Sequence, residues 1–318
     1  MNATAAIRAS IISTSGISLH TGRLSQLKEW PNFTSLDLER ARNAESDAIS
    51  IENGSYIEIE TGKARKSQLG RMFTTFPFRD ATWLVAVGYV LGAILFVINS
   101  FFGLLPLIAP SLTFETESTI GLETTLIVGL IFFLVAGAMD VRSAPNANRD
   151  AAKIAQEKEQ IHQPAILGSR DWAKVPKQGQ YSELLAKNVS FQAALVQLTG
   201  TIFLALAAIT GFPGVMDPTT TYYMTFVYGP TFVGGLLFWI ANAMLLLGTE
   251  QDHWWVAKPR TVGWHAALQS TGGGFLFMMI GVFLLAGMTL AAAWVTLIGS
   301  WMFMIGCILG WYITMAVC

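Results

Sequence analysis

A chain of 318 residues that is 53% hydrophobic and only 13% charged, with a mean hydropathy of +0.48, carries more apolar surface than one water-soluble core can bury, which points to the bilayer. The net charge of -1 hides a segregation of charges along the chain, and no nucleic-acid partner is expected. The two cysteines, Cys307 and Cys318, are not placed for a disulfide framework or a metal cluster and are expected to be free thiols.

Residues 1–65 are rich in Ser, Thr, Asn and acidic groups and contain no apolar run of signal-peptide length, so they read as a mostly disordered cytosolic segment. From residue 66 to 318 the chain reads as all-α: a polytopic membrane protein with six transmembrane helices in one bundle. The apolar runs fall at about 81–102, 119–140, 188–211, 222–248, 262–287 and 290–316, each long enough for the ~20 residues that a hydrocarbon core requires. Only Gly287, Met288 and Thr289 separate the last two, which predicts a tight turn.

Of the twenty Lys and Arg residues, ten precede the first span, eight lie between spans two and three, and Lys258 and Arg260 lie between spans four and five. The positive-inside rule then puts both termini and the loops at about 141–187 and 249–261 in the cytosol, with the endoplasmic reticulum the expected membrane. Sequons at Asn2, Asn32, Asn53 and Asn188 would all be cytosolic and unused. Within the 141–187 loop a short helix-like run is expected from Asp150 to Gln160.

Five spans repeat a small residue and an aromatic four positions apart: Gly92 with Phe96, Gly129 with Phe133, Gly234 with Phe238, Gly273 with Phe277, and Gly299 with Phe303. Span three carries the looser Gly200 with Phe203. Positions i and i+4 share a helix face, so the glycine admits a neighbouring helix while the aromatic fills space one turn on. Helix packing explains the pattern; an old duplication of helices would also produce it.

No Asp-Asp-x-x-Asp cluster, His box, Gly-x-Ser-x-Gly elbow, P-loop or dinucleotide fingerprint is present, which disfavours metal and nucleotide chemistry. No cofactor and no metal site are expected. Polar groups at membrane depth are costly and therefore candidates for function. The carboxyls are Glu123, Asp140, Asp217, Glu250 and Asp252. Glu250 and Asp140 end the two spans that return to the same side and rank first as a catalytic acid, with Glu123 third; solvated interface residues are the plain alternative. His265 opens span five, where it either takes part in the chemistry or ties to a facing carboxylate. Trp254, Trp255, Trp264 and Trp239 offer π faces for a passing cation, or simply face lipid. Asn242, Gln269 and Gln197 lie inside the bundle as substrate contacts or as helix-to-helix hydrogen bonds, like Asn99 and Gln192.

Much of residues 66–313 resembles a fungal family of integral membrane proteins. The likeness is carried by Lys66–Asp80 (KSQLGRMFTTFPFRD), Asn99–Pro106 (NSFFGLLP), Gln163–Gly168 (QPAILG), Pro259–His265 (PRTVGWH), Gly299–Phe303 (GSWMF) and Trp311 with Tyr312. Its members with an assigned role are the membrane-bound terpene cyclases of meroterpenoid biosynthesis, of the ascofuranone- and macrophorin-cyclase type. The resemblance implies an isomerase acting on a farnesylated aromatic or quinone-like substrate, started by protonating an alkene or epoxide rather than by losing diphosphate. It does not name the acid, which chemistry requires to be a carboxyl kept protonated by burial. A non-enzymatic membrane protein, either a small-molecule transporter or a structural partner, is the rival reading.

Overall fold

Asp80 opens the first long helix by accepting a hydrogen bond from Thr82 N at 2.8 Å, in the manner of an N-cap. The computed structural model describes residues 68–156, 167, 178–249 and 255–317. A short helix α1 (Gln68–Thr74) precedes α2 (Ala81–Ile108), α3 (Leu122–Gln156), α4 (Gln178–Lys187), α5 (Val189–Gly211), α6 (Gly229–Gly248), α7 (Val262–Leu285) and α8 (Thr289–Val317). Six of these helices are long and apolar enough to cross a membrane, and the protein is a polytopic α-helical membrane protein. Counting the helical turns that lead into α6, which make its span Thr221–Gly248, their bounds fall within a few residues of the expected spans, apart from later ends to the first two. Gly287, with φ of 71°, makes the tight turn between α7 and α8 in a left-handed conformation that glycine adopts without strain.

The six spans close into a ring in chain order. Each long helix packs on its neighbours in sequence, and α8 packs back on α2. The first span starts at what is here termed the basic end, where Lys258, Arg260 and Arg142 also lie.

Three antiparallel pairs within this ring cross at reciprocal glycines. A methyl at Gly92 would lie 3.0 Å from Gly129 O, and one at Gly129 would lie 3.3 Å from Gly92 O. The same exchange joins Gly200 and Gly234 (3.0 and 2.9 Å) and Gly273 and Gly299 (2.9 and 3.4 Å). Backbones can meet so closely only where no side chain intervenes, the packing mode expected in lipid. The aromatic partner one turn on then points into the ring. Phe96, Phe133, Phe238, Phe277 and Phe303 are all buried and form one cluster, with Phe133 stacked on Phe96 at 4.9 Å and 5.7 Å from Phe303. Span three departs from the pattern here, as it does in sequence: Leu204 stands four residues after Gly200 where the others have phenylalanine, packed against Gly234 and the cluster, and Phe203 is only half-buried.

Two expectations change. The 141–187 connection does not begin as a loop, because α3 runs on through Pro145 to Gln156. Proline has no N–H to give to the carbonyl four residues back. Beside it Ser143 Oγ donates to Asp140 O at 3.1 Å and Asn146 Nδ2 reaches Arg142 O at 3.5 Å, so side chains supply hydrogen bonds at the interrupted turn. The helix-like run expected to start at Asp150 is therefore the tail of α3 as far as Gln156, and residues 157–160 lie outside the described residues, as do 1–65. The second change is at the opposite end, where π-helical turns Glu117–Gly121 and Met224–Tyr228 lead into α3 and α6. Thr210 Oγ1 donates to Phe226 O at 2.7 Å and ties the second of these to α5.

Candidate functional site

The inward stripe of each helix changes from aromatic to polar one to two turns from the phenylalanine cluster toward the basic end. On α2 this brings Tyr89, seven residues before Phe96; on α3, Asp140, seven after Phe133; on α6, Asn242, four after Phe238; on α7, Ser270, seven before Phe277; and on α8, Cys307, four after Phe303. Gln197 of α5 lies one turn from Gly200 in the same direction. All six are buried. Every span thus contributes at least one buried polar side chain on that side of the cluster.

Asp140 is the only carboxylate among them and is 0% exposed. Tyr89 and Asp140 are electrostatic neighbours, and Cys307 is a second electrostatic neighbour of Tyr89. The Tyr89 ring stands edge-on to Phe133 at 5.1 Å, and its hydroxyl lies against Gly137, one turn before Asp140, where an added methyl would be 3.4 Å from it. Leu198 of α5 meets the same glycine, which sets the depth of Gln197 close to that of Asp140. Ser270 Oγ sits where a side chain at Gly306 would project, so α7 and α8 close on each other beside Cys307.

Among the described residues, several buried polar atoms in and around this layer have no hydrogen-bond partner: Gln197 Nε2, Asn242 Oδ1 and Trp311 Nε1. Asn242 spends its other group locally, donating from Nδ2 to Phe238 O at 2.8 Å. A buried polar atom without a partner costs stability, so such atoms mark places where a further group would be held. Among the described residues no three His, Cys, Asp or Glu side chains converge as a metal would require.

The remaining expected residues are dispersed. Glu250 and Trp254 lie outside the described residues, so the expected convergence of Glu250 with Asp140 does too. Glu123 is half-buried at the other end of α3, seventeen residues or about 25 Å from Asp140, beside Tyr223. The two carboxyls cannot serve one site. His265 is exposed, with Nε2 2.7 Å from Pro259 O and the ring edge-on to Trp264 at 5.2 Å, so it fastens the entry to α7. Trp255 is 65% exposed, Trp264 and Gln269 are half-buried, and Trp239 stacks edge-on against Phe275 at 5.7 Å on the outside of the ring. Asn99 ties α2 to α3 by donating to Leu122 O and Thr125 Oγ1, and Gln192 donates to Leu185 O, which leaves both amides structural. Asp217 is exposed in the connection before α6, where the N–H and hydroxyl of Thr219 hold its carboxyl below the usual carboxylate range.

Tyr89 and Trp311 were not among the expected site residues. The signal was available: Tyr89 lies on the stripe of Phe96, and Trp311 lies two turns beyond Phe303. Compared with known proteins, the chain matches no protein-family model, no curated protein and no solved structure.

Proposed function

We propose that the protein is a membrane-bound terpene cyclase of the fungal meroterpenoid type, an isomerase that closes rings in the farnesyl chain of an aromatic or quinone-like substrate. The observation that carries this reading is the position of Asp140: a carboxyl enclosed at 0% exposure, beside Tyr89, on the flank of a five-phenylalanine interior. Protonation-initiated cyclisation calls for those components. The Asp140 O–H is transferred to an alkene carbon or an epoxide oxygen, leaving a carbocation on the chain. The π electrons of the next alkene form the ring bond and move the charge onward, and loss of a proton from the final cation restores an alkene. One proton enters and one leaves, so the product is an isomer of the substrate.

The cluster of Phe96, Phe133, Phe238, Phe277 and Phe303 is filled by its own rings, so the aromatic surface that stabilises the travelling charge is the side of the cluster that borders the Asp140 layer, and an apolar interior keeps water from quenching it. No diphosphate leaves, which accords with a sequence that lacks the aspartate-rich motif for binding one. The resemblance of residues 66–313 supports the same substrate class. We place the basic end, and with it both termini, in the cytosol, and the protein in the endoplasmic reticulum, on the distribution of its twenty basic residues.

The test is to incubate membranes containing the protein with a farnesylated phenol or its terminal epoxide and to look by mass spectrometry for a cyclic product of unchanged mass. Formation of that product, surviving a chelator, is the expected result. A substrate recovered unchanged with both compounds counts against the reading.

A further inference from the structure

We infer that residues 68–79 form an interfacial anchor selective for anionic lipid, seating Phe73, Phe76 and Phe78 at the acyl boundary of the leaflet and Arg71 and Arg79 among its headgroup phosphates. The inference stands on the membrane fold and is independent of the cyclase reading. Pro77 keeps α1 from running on into α2, since it has no N–H for a helical bond and disfavours helical backbone at Phe76. The chain bends instead, with Asp80 N donating to Pro77 O at 2.8 Å just before α2 begins. Met72 fastens α1 to the end of the bundle, where it is buried in one cluster with Trp83 of α2 and Met315 of α8.

The rest of the segment faces outward. Leu69 and Phe73 stand one helical turn apart, Phe76 and Phe78 are stacked at 6.1 Å and edge-on to Trp83, and all four are more than half exposed. Phe78 lies three residues before Ala81, the start of the first span, which places these rings at the membrane boundary. Apolar exposure at that depth calls for lipid but not for one kind of lipid; charge makes the choice. From Lys63 to Arg79 the sequence holds five basic residues and no acidic one. Arg79 is exposed and Arg71 half-buried, and the connection before α7 repeats the composition at the same end, with Trp255 and Arg260 exposed. The opposite end has the apolar part alone. Leu112, Phe114 and Val215 are more than half exposed there, and the charged residues nearest them in sequence are Glu115 and Asp217. Rings paired with cations take up acyl chain and phosphate together, and each basic side chain adds an attraction to an anionic leaflet that the opposite end lacks.

The experiment uses the full chain in mixed nanodiscs of phosphatidylcholine and phosphatidylserine, with the photoreactive p-benzoylphenylalanine in place of Phe73, Phe78 or, as the control, Leu112. Mass spectrometry identifies the photo-adducts. Lipid adducts are expected at all three positions. At Phe73 and Phe78 phosphatidylserine should exceed its share of the bilayer about fivefold, the effect of one basic side chain at an anionic surface, and at Leu112 it should match its share. Salt at about 1 M, where the screening length falls to about 3 Å, should erase the enrichment and leave the adduct yield unchanged. Arg79→Gln, a change at an exposed side chain, should lower the enrichment at Phe78 in the same way. Three results overturn the inference, and none requires an arginine variant to fold. Adducts at Phe73 and Phe78 with the chain's own residues would show that protein covers this face. Lipid adducts without enrichment would leave an ordinary lipid contact, and equal enrichment at Leu112 would remove the charge contrast between the two ends.

Discussion

The ring of Phe133 lies against the bare Cα of Gly92, so closely that a methyl added there would sit 2.5 Å from Phe133 Cδ2 and 3.0 Å from Gly129 O. Phe96 returns the contact at Gly129, where a methyl would be 2.9 Å from its Cε1. Each glycine of this pair makes room for the phenylalanine that follows the other. The outcome is both the crossing of α2 with α3 and the aromatic interior beside Asp140.

Gly92→Ala should therefore lower stability by about 1–3 kcal/mol, the usual cost of overpacking a filled core, read as a lower Tm in nanodiscs. Phe133 cannot yield easily, since Phe96, Phe238 and Phe303 surround it. Gly235→Ala should cost more, because its methyl would strike Met278 N and Phe277 C, which are backbone atoms of α7. Gly310→Ala, with nothing within 4 Å, is the control and should leave Tm unchanged. Equal Tm values for all three would show that these crossings are looser than described.

This arrangement was largely legible from residue spacing. Five Gly-x-x-x-Phe pairs at mid-span predict close crossings, and the structure adds that the aromatics meet in one cluster rather than facing lipid. Spacing alone could not show that, because hydrophobicity no longer separates inside from outside in a bilayer. For the same reason the ranking of Asp140 above Glu123 rests in sequence on which end of the span each occupies, and the difference in burial between them is visible only in the structure. The continuation of α3 through Pro145 was hidden because the neighbouring Ser143 and Asn146, which supply side-chain hydrogen bonds there, also read as loop residues. His265 drew notice as an ionisable group at a span boundary, yet its partner proved to be a carbonyl six residues back.

Orientation can be tested directly. Tags at the N-terminus, within 150–180 and at the C-terminus should all be cleaved by protease from the cytosolic side, with Asn2, Asn32, Asn53 and Asn188 unglycosylated. Asn188 has a structural occupation besides, since its side chain accepts from Phe191 N at 2.9 Å as the N-cap of α5. A glycan on Asn32 or Asn53 would reverse the orientation and move the proposed site to the other leaflet.

Asp217 provides a negative prediction. The hydrogen bonds from Thr219 that hold its carboxyl below the usual range favour the ionised form, so at neutral pH it has no proton to give. The linkage runs the same way: the stabilisation belongs to the carboxylate, is present above the unfolded pKa and is lost as pH falls through the lowered folded value. Asp217→Asn should leave cyclisation unchanged. A dead Asp217→Asn enzyme that still inserts would relocate the chemistry to the connection before α6.

Asp140 decides the mechanism. Replacing a general acid by an amide of the same shape keeps the packing but removes the transferable proton, and the usual loss is about 10²–10⁴-fold in turnover. Asp140→Asn should show that loss with normal insertion, and Tyr89→Phe should lower the rate less, since Tyr89 flanks the carboxyl without delivering the proton in the proposed step. Glu123→Gln should remain active, because about 25 Å of helix separates it from Asp140. His265→Ala should act mildly and mainly through stability, its ring being exposed and bonded to Pro259 O. Glu250→Gln then decides whether a second carboxyl joins the first: a loss equal to that of Asp140→Asn, with no further drop in the double variant, marks the two as one proton-delivery unit. Should Glu123→Gln alone be inactive, the site lies at the opposite end of α3, among Tyr223 and the π-helical turns. Full activity in the Asp140, Glu250 and Glu123 variants together would end the protonation mechanism at these positions, and the enclosed Asp140 would then have to be explained by what it does for the packing of α2, α3 and α8.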